Sequence, residues 1–134
     1  MPTADEYLQL HGVKPTAVRL EVWEEAQSFR RPFCLYDMEE RLPHADPSSL
    51  FRALRLLAER HLLHEIDDGT GSRKYCVCHC ETRGHVNHLH FTCEKCGRMF
   101  CLEHYLIPIP NLPEGYEMHE AECLVKGLCP DCRR

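Results

Sequence analysis

The chain has 134 residues, 43% hydrophobic and 28% charged, which supplies one compact core or two very small ones and excludes a disordered or fibrous protein. Its longest apolar runs are four residues (33–36, 75–78 and 99–102), far short of the ~20 a membrane-spanning helix needs. The start of the chain lacks the basic-then-apolar order of a secretory signal, so a cytoplasmic protein with no membrane partner is expected.

A net charge of −5 divides into 10 basic against 13 acidic residues through Lys74 and 6 against 8 beyond it. No basic field announces a nucleic acid, so any such role must rest on local placement. Ten cysteines and ten histidines accompany this balance. In a reducing compartment that number of cysteines points to metal ligation rather than disulfides.

In chain order, a first short helix is expected from Ala4 to His11, closed by Gly12 where a left-handed cap is wanted. Thr16 caps a second, whose Val18, Val22, Trp23 and Ala26 recur at three- and four-residue spacing. A third runs from about Leu35 to Leu42 with Leu35, Met38 and Leu42 inward. The fourth has the clearest start, Asp46 as N-cap and Pro47 at the first helical position, where its missing N–H is no loss. Its buried stripe is Leu50, Ala53, Leu54 and Leu57, which leaves Ser48, Ser49, Phe51, Arg52 and Arg55 on the opposite face. Two strands, Leu62–Ile66 and Arg73–Val77, flank a turn at 67–72, and helices followed by such a hairpin make a winged-helix plan.

A recognition helix lies in the major groove with its N-terminal residues near base edges. Arg52 and Arg55 suit phosphate or guanine, Ser48 and Ser49 offer hydroxyls, and Lys14, Arg19, Arg73 and Lys74 are placed to grip phosphates. Ordinary solvated charges account for the same residues equally well. Phe51 tilts the balance toward double-stranded DNA, because an aromatic on a polar helix face wants a partner such as a thymine methyl.

Only Cys34 precedes Tyr75, whereas nine cysteines follow it among alternating strands and turns, so two small domains with a hinge near residues 74–85 are expected. Cys93-Glu-Lys-Cys96 and Cys129-Pro-Asp-Cys132 are two C-x2-C pairs separated by 32 residues. Two such pairs complete a tetrahedral four-thiolate shell, the chemistry of structural zinc. A thioredoxin-like role fails for want of a βαβ context, no H-x-E is placed to serve Cys129-Pro-Asp-Cys132 as a zinc deaminase would need, and H-E-x-x-H is absent. With no convincing general base beside an open metal position, neither an enzyme nor a small-molecule substrate is expected.

His88 and His90 share one face of a strand leading into Cys93, and Cys76, Cys78, Cys80, His79, His85 and His64 add further ligand types nearby in sequence. Imidazoles with a thiolate make a borderline-soft second site, with zinc favoured and iron or cobalt as alternatives. Cys34 and Cys123 read by default as buried hydrophobes.

The segments Gly12-Val-Lys14-Pro-Thr16-Ala-Val-Arg19, Ser49-Leu-Phe51-Arg52-Ala-Leu54 (for T-V-Y-R-x-L), His88-Leu-His90-Phe-Thr-Cys93-Glu-Lys-Cys96-Gly97 and the Cys129 pair resemble the ferric uptake regulator family of metal-dependent repressors. The resemblance implies an α+β fold: a winged-helix DNA-binding domain over 1–78, a hinge over 79–87, and over 88–134 a small, mostly antiparallel dimerisation domain with a four-cysteine structural zinc. It implies a homodimer closed onto a palindromic operator by metal at the hinge. Matched position by position, Cys93, Cys96, Cys129 and Cys132 are the structural zinc ligands, and His64, Cys78, His88 and His90 the regulatory ones. Phe51 and Arg52 match the tyrosine and arginine of the recognition helix.

Iron- and peroxide-sensing relatives place carboxylates near Cys76 and Cys101, where this chain has thiols, so a softer ion is favoured and the chain resembles the zinc uptake regulator branch. Zinc is then the expected regulatory metal, with ferrous iron second, controlling genes of metal uptake. The thiols keep redox sensing as an alternative signal. The prolines of Ile107-Pro-Ile-Pro-Asn-Leu-Pro113 break the helix that the family carries between its dimerisation strands, so ligands supplied from it are not carried over to a third site at Glu103, His104 or His119; Cys76, Cys101 and His119 are the less secure regulatory ligands.

Overall fold

The computed structural model describes residues 2–29, 31–67, 69–77, 89–102, 105, 110–119 and 121–134. The chain divides into two units, Met1–Cys78 and His79–Arg134.

The first unit contains α1 (Ala4–Leu10), α2 (Ala17–Ser28), α3 (Leu35–Arg41), α4 (Pro47–Glu59), β1 (Leu63–Ile66) and β2 (Lys74–Val77). The starts of α1, α2 and α4 are marked by an N-cap side chain that accepts from an orphan amide. Thr3 and Glu6 form a reciprocal capping box on α1. The Thr16 hydroxyl accepts from the Arg19 amide at 3.3 Å, and the Asp46 carboxylate from that of Ser49 at 3.2 Å. At the end of α1, Gly12 takes φ +75°, and the Val13 amide donates back to the Leu8 carbonyl at 2.9 Å. The same closure ends α4, with His61 at φ +61° and Leu62 donating to Leu57.

The stripe Leu50, Ala53, Leu54 and Leu57 is buried, and α4 packs through it on α2, α3 and β1. These side chains centre a core of fifteen buried residues, from Leu8 to Tyr75. The wing pairs antiparallel, His64 opposite Cys76 and Glu65 opposite Tyr75. Phe33 adds a bridge that the hydrophobic pattern does not reveal, exchanging both backbone hydrogen bonds with Tyr75 at 2.9 and 2.7 Å.

The second unit holds β3 (Leu89–Cys93), β4 (Met99–Leu102), β5 (Leu124–Gly127) and the single-turn α5 (Pro130–Arg133). The strand order is β4-β3-β5, with β4 antiparallel and β5 parallel to β3. The sheet is therefore mixed where a mostly antiparallel one is expected. Because β4 already runs back along β3, the connection from Leu102 to Leu124 joins strands of opposite direction on the two sides of β3. No described residue of that connection is helical, and Pro113 to Tyr116 forms a turn with Gly115 at φ +93°.

Among the described residues of this unit, only His90, Cys93, Met99 and Cys129 are buried. Cys34 and Cys123 correct the reading of both as buried hydrophobes, since each is partly exposed. Cys34 sits at the start of α3, where its amide donates to the Asp37 carboxylate at 2.9 Å, a cap position that keeps it near solvent.

Candidate metal centre and nucleic-acid interface

Two turns and one sheet assemble the four-cysteine site. Cys93 ends β3, and the chain reverses at once, the Gly97 amide donating to the Cys93 carbonyl and the Cys93 amide to that of Arg98, both at 2.9 Å. Gly97 takes φ +76°, the conformation this knuckle requires. The second pair straddles α5, with Cys129 as its N-cap and Pro130 at its start. The parallel ladder brings the pairs together, because the Glu94 amide donates to the Gly127 carbonyl at 2.7 Å just before Cys129.

The four sulfurs lie within 4.8 Å of one another, and those of Cys96 and Cys129 are 3.9 Å apart. Zinc–sulfur bonds of about 2.3 Å at a tetrahedral centre give sulfur separations of about 3.8 Å. The donor set therefore fits zinc, and four protein ligands leave no position open for catalysis.

Fixed N–H donors around the site favour thiolates. The Cys93 thiol is lowered to about 6, chiefly by the Cys96 and Cys129 backbone amides, which reach its sulfur at 3.5 and 3.4 Å. Cys96 is lowered by Arg98, whose Nε lies 3.3 Å from the sulfur. Cys132 is pushed up to about 12 because its thiol hydrogen-bonds the Cys129 sulfur, with burial adding to the effect. Arg98 is the residue that motif reading misses: cysteine spacing reveals ligands but carries no signal for the groups that donate to them.

The residues read as regulatory ligands fall into three groups. Cys78, His88 and the 79–87 hinge lie outside the described residues. In the first unit, His64 on β1 stands opposite Cys76 on β2; in the second, buried His90 on β3 stands opposite Cys101 on β4. Directly opposed residues of an antiparallel pair project from the same sheet face, so each unit presents an imidazole beside a thiol. Because strand residues alternate, His90 and Cys93 point to opposite faces of β3. His119 is exposed, with Nε2 3.4 Å from a Glu117 carboxylate oxygen.

On the polar face of α4, Ser48, Phe51, Arg52 and Arg55 are exposed and Ser49 is half-buried. Phe51 is 43% exposed, with the Arg55 guanidinium 5.9 Å from its ring centre. Thr16, Val18, Arg19, Ser49, Arg52 and Ala53 line a cleft of ≈250 Å³ between the start of α2 and α4. Arg19 donates to the Lys14 carbonyl at 2.9 Å, which holds its guanidinium beside that cleft, and Arg52 donates to Ser49 Oγ at 3.4 Å. Lys14 is exposed. Arg73 on the wing lies 3.3 Å from Glu65, so its charge is partly offset.

A winged helix in the same chain as a closed four-thiolate site is the build of a metal-binding, DNA-binding regulator. Residues 10–108 match the Ferric uptake regulator family, and the chain belongs to that family of metal-responsive transcriptional regulators. The transcriptional regulator FurA of Mycobacterium bovis and of Mycobacterium tuberculosis is 31% identical over 105 residues, 67% of this chain and 71% of its own length. The fold matches a zinc uptake regulator solved with zinc and DNA, at 24% identity and TM-score 0.64, over 97% of this chain and 90% of the other. It also matches the Vibrio cholerae ferric uptake regulator, at 14% identity and TM-score 0.68, over 95% of this chain and all of that one.

Proposed function

We propose that the protein is a zinc-responsive repressor acting as a homodimer on a palindromic double-stranded operator, with structural zinc at Cys93, Cys96, Cys129 and Cys132. The observation that carries the DNA reading is the division of α4 into a fully buried apolar stripe and a free face bearing Ser48, Phe51, Arg52 and Arg55. Arg19 and Arg52 beside their cleft suit backbone phosphates, and Lys14 and Arg73 extend the same contact set. Dimerisation through the second unit is supported by Val125 and Leu128, 41% and 52% exposed on and beside the edge strand β5, with Leu112 and Tyr116 also exposed.

The regulatory metal draws on His64, Cys78, His88 and His90, with Cys76 and Cys101 as further candidates. Support for zinc comes from the thiol that faces the imidazole in each cross-strand pair, since nitrogen and sulfur donors suit zinc better than harder ions. When bound, the metal supplies a cross-link that selects the DNA-competent arrangement; the protein's own part is to present neutral imidazoles and thiolates from fixed strand positions. The partly exposed Cys101 gives thiol oxidation a specific foothold as the second reading.

The test measures metal per subunit in protein purified without added metal, then titrates zinc and ferrous ion while following binding to palindromic DNA. One retained zinc and a second, exchangeable zinc that switches DNA binding is the expected result. A switch by ferrous ion alone, or by thiol oxidation alone, overturns the choice of signal. In the same assay His90→Ala is expected to abolish the metal response while the retained zinc remains.

A further inference from the structure

The four thiolates of the structural zinc site differ in what donates to them. Cys93 accepts from the backbone amides of Cys96 and Cys129 at 3.5 and 3.4 Å. Arg98 reaches one cysteine of each pair, with Nε 3.3 Å from Cys96 Sγ and Nη2 3.6 Å from Cys129 Sγ. Its guanidinium is itself held, by Asp131 at 3.1 Å and by the Phe100 ring 5.4 Å away. Among the described residues, no N–H group donates to Cys132.

A zinc ion with four thiolates carries a formal charge of −2, which an adjacent guanidinium partly compensates. An N–H···S bond draws electron density from sulfur and lowers its reactivity toward electrophiles, so groups outside the ligand set tune the site. Arg98 does this for two sulfurs at once and fastens the two knuckles to each other across the metal. Its position, at the end of the turn whose amides hold Cys93, makes it part of the same rigid hairpin.

We propose that Arg98 is a positioning residue of the zinc site that shields Cys96 and Cys129, leaving Cys132 as the ligand through which the site opens to electrophiles and chelators. The inference rests on the four-thiolate zinc reading above. Exposure alone gives a different order, because Cys96 is exposed whereas Cys132 is only partly so. The two accounts are therefore separable by experiment.

The full chain, with zinc content measured first, is treated with limiting iodoacetamide and mapped by mass spectrometry. In each event a sulfur–carbon bond forms, the carbon–iodine bond breaks and iodide leaves, while the zinc–sulfur bond at that cysteine is lost. Among the four ligands, Cys132 is expected to be modified first and Cys96 and Cys129 later. In Arg98→Gln, Cys96 and Cys129 join the early set and zinc transfer to a colorimetric chelator accelerates by about tenfold or more, the scale on which such supporting groups act. Arg98→Lys, which keeps the charge and loses the forked geometry, is expected to fall between.

Modification of Cys96 first in the unaltered protein overturns the proposal, and that result needs no variant to fold. An unchanged transfer rate in a folded Arg98→Gln protein overturns it as well. Absence of zinc from the four-cysteine site is a different outcome, recognisable before alkylation, and removes the underlying site assignment.

Discussion

Removing the zinc proposed for the four-cysteine site should unfold the second unit and leave the first intact. The first unit has fifteen buried core residues. In the second, the described buried residues are His90, Cys93, Met99 and Cys129, so among them Met99 is the one not read as a metal ligand. Burial of one such side chain contributes roughly 1.5–3 kcal/mol, whereas a structural zinc contributes roughly 10–16 kcal/mol of binding free energy that is coupled to folding. The ion thus outweighs the one such side chain among the described residues several-fold. The assay is hydrogen exchange read by mass spectrometry with and without a strong chelator. Peptides spanning 89–102 and 121–134 should lose protection on chelation, those spanning 47–66 should keep it, and added zinc should restore the difference. Persistent protection in 89–102 after metal analysis shows the zinc gone would refute the reasoning, because packing would then suffice.

Leu54→Ala removes a fully buried side chain from α4 and is expected to cost the first unit roughly 2–5 kcal/mol in chemical denaturation; a change under about 1 kcal/mol would mean that the site collapses around the loss. Arg52→Ala is expected to weaken binding about uniformly across sequences and to reduce the salt slope by about 1 while Tm stays put, since the side chain is exposed. Equal affinity across a salt series would take Arg52 out of the interface. Gly12→Ala, at φ +75° and with an added Cβ 3.2 Å from Arg60 Nη1, should destabilise by about 1–2 kcal/mol in thermal melts, and an unchanged melt would show that the turn can relax.

The winged helix was legible because its determinants are local. Thr16, Asp46 and Pro47 mark helix starts within three residues of the groups they serve, and the α4 stripe is a periodicity that one helix displays by itself. Thr3 and Glu6 carry the capping-box spacing too, a local signal that places the start of α1. What stayed hidden depends on distant segments. Phe33 pairs with Tyr75 through a single bridge that has no period to detect. The placement of β5 beside β3 rather than beside β4 depends on a long connection, which four residues of strand do not encode. Likewise Cys93, Cys96, Cys129 and Cys132 were readable from spacing, whereas the guanidinium that binds two of them was not.

On the proposed assignment one strand carries a ligand of each class, and this imposes a one-way dependence. Cys93 ends β3 and His90 lies three residues before it on the opposite face, so a zinc ion held at Cys93 would fix the strand that aims His90 and its neighbour Cys101. The reverse does not hold, since the four zinc-site sulfurs are placed by turns, by β5 and by Arg98, none of which requires an imidazole on the far face. Cys129→Ser should therefore abolish both the retained zinc and the exchangeable metal, while His90→Ala removes only the second. Metal counting on the two purified variants decides it. A Cys129→Ser protein that still binds the exchangeable metal with unaltered affinity would show that the two sites do not share the strand as a support.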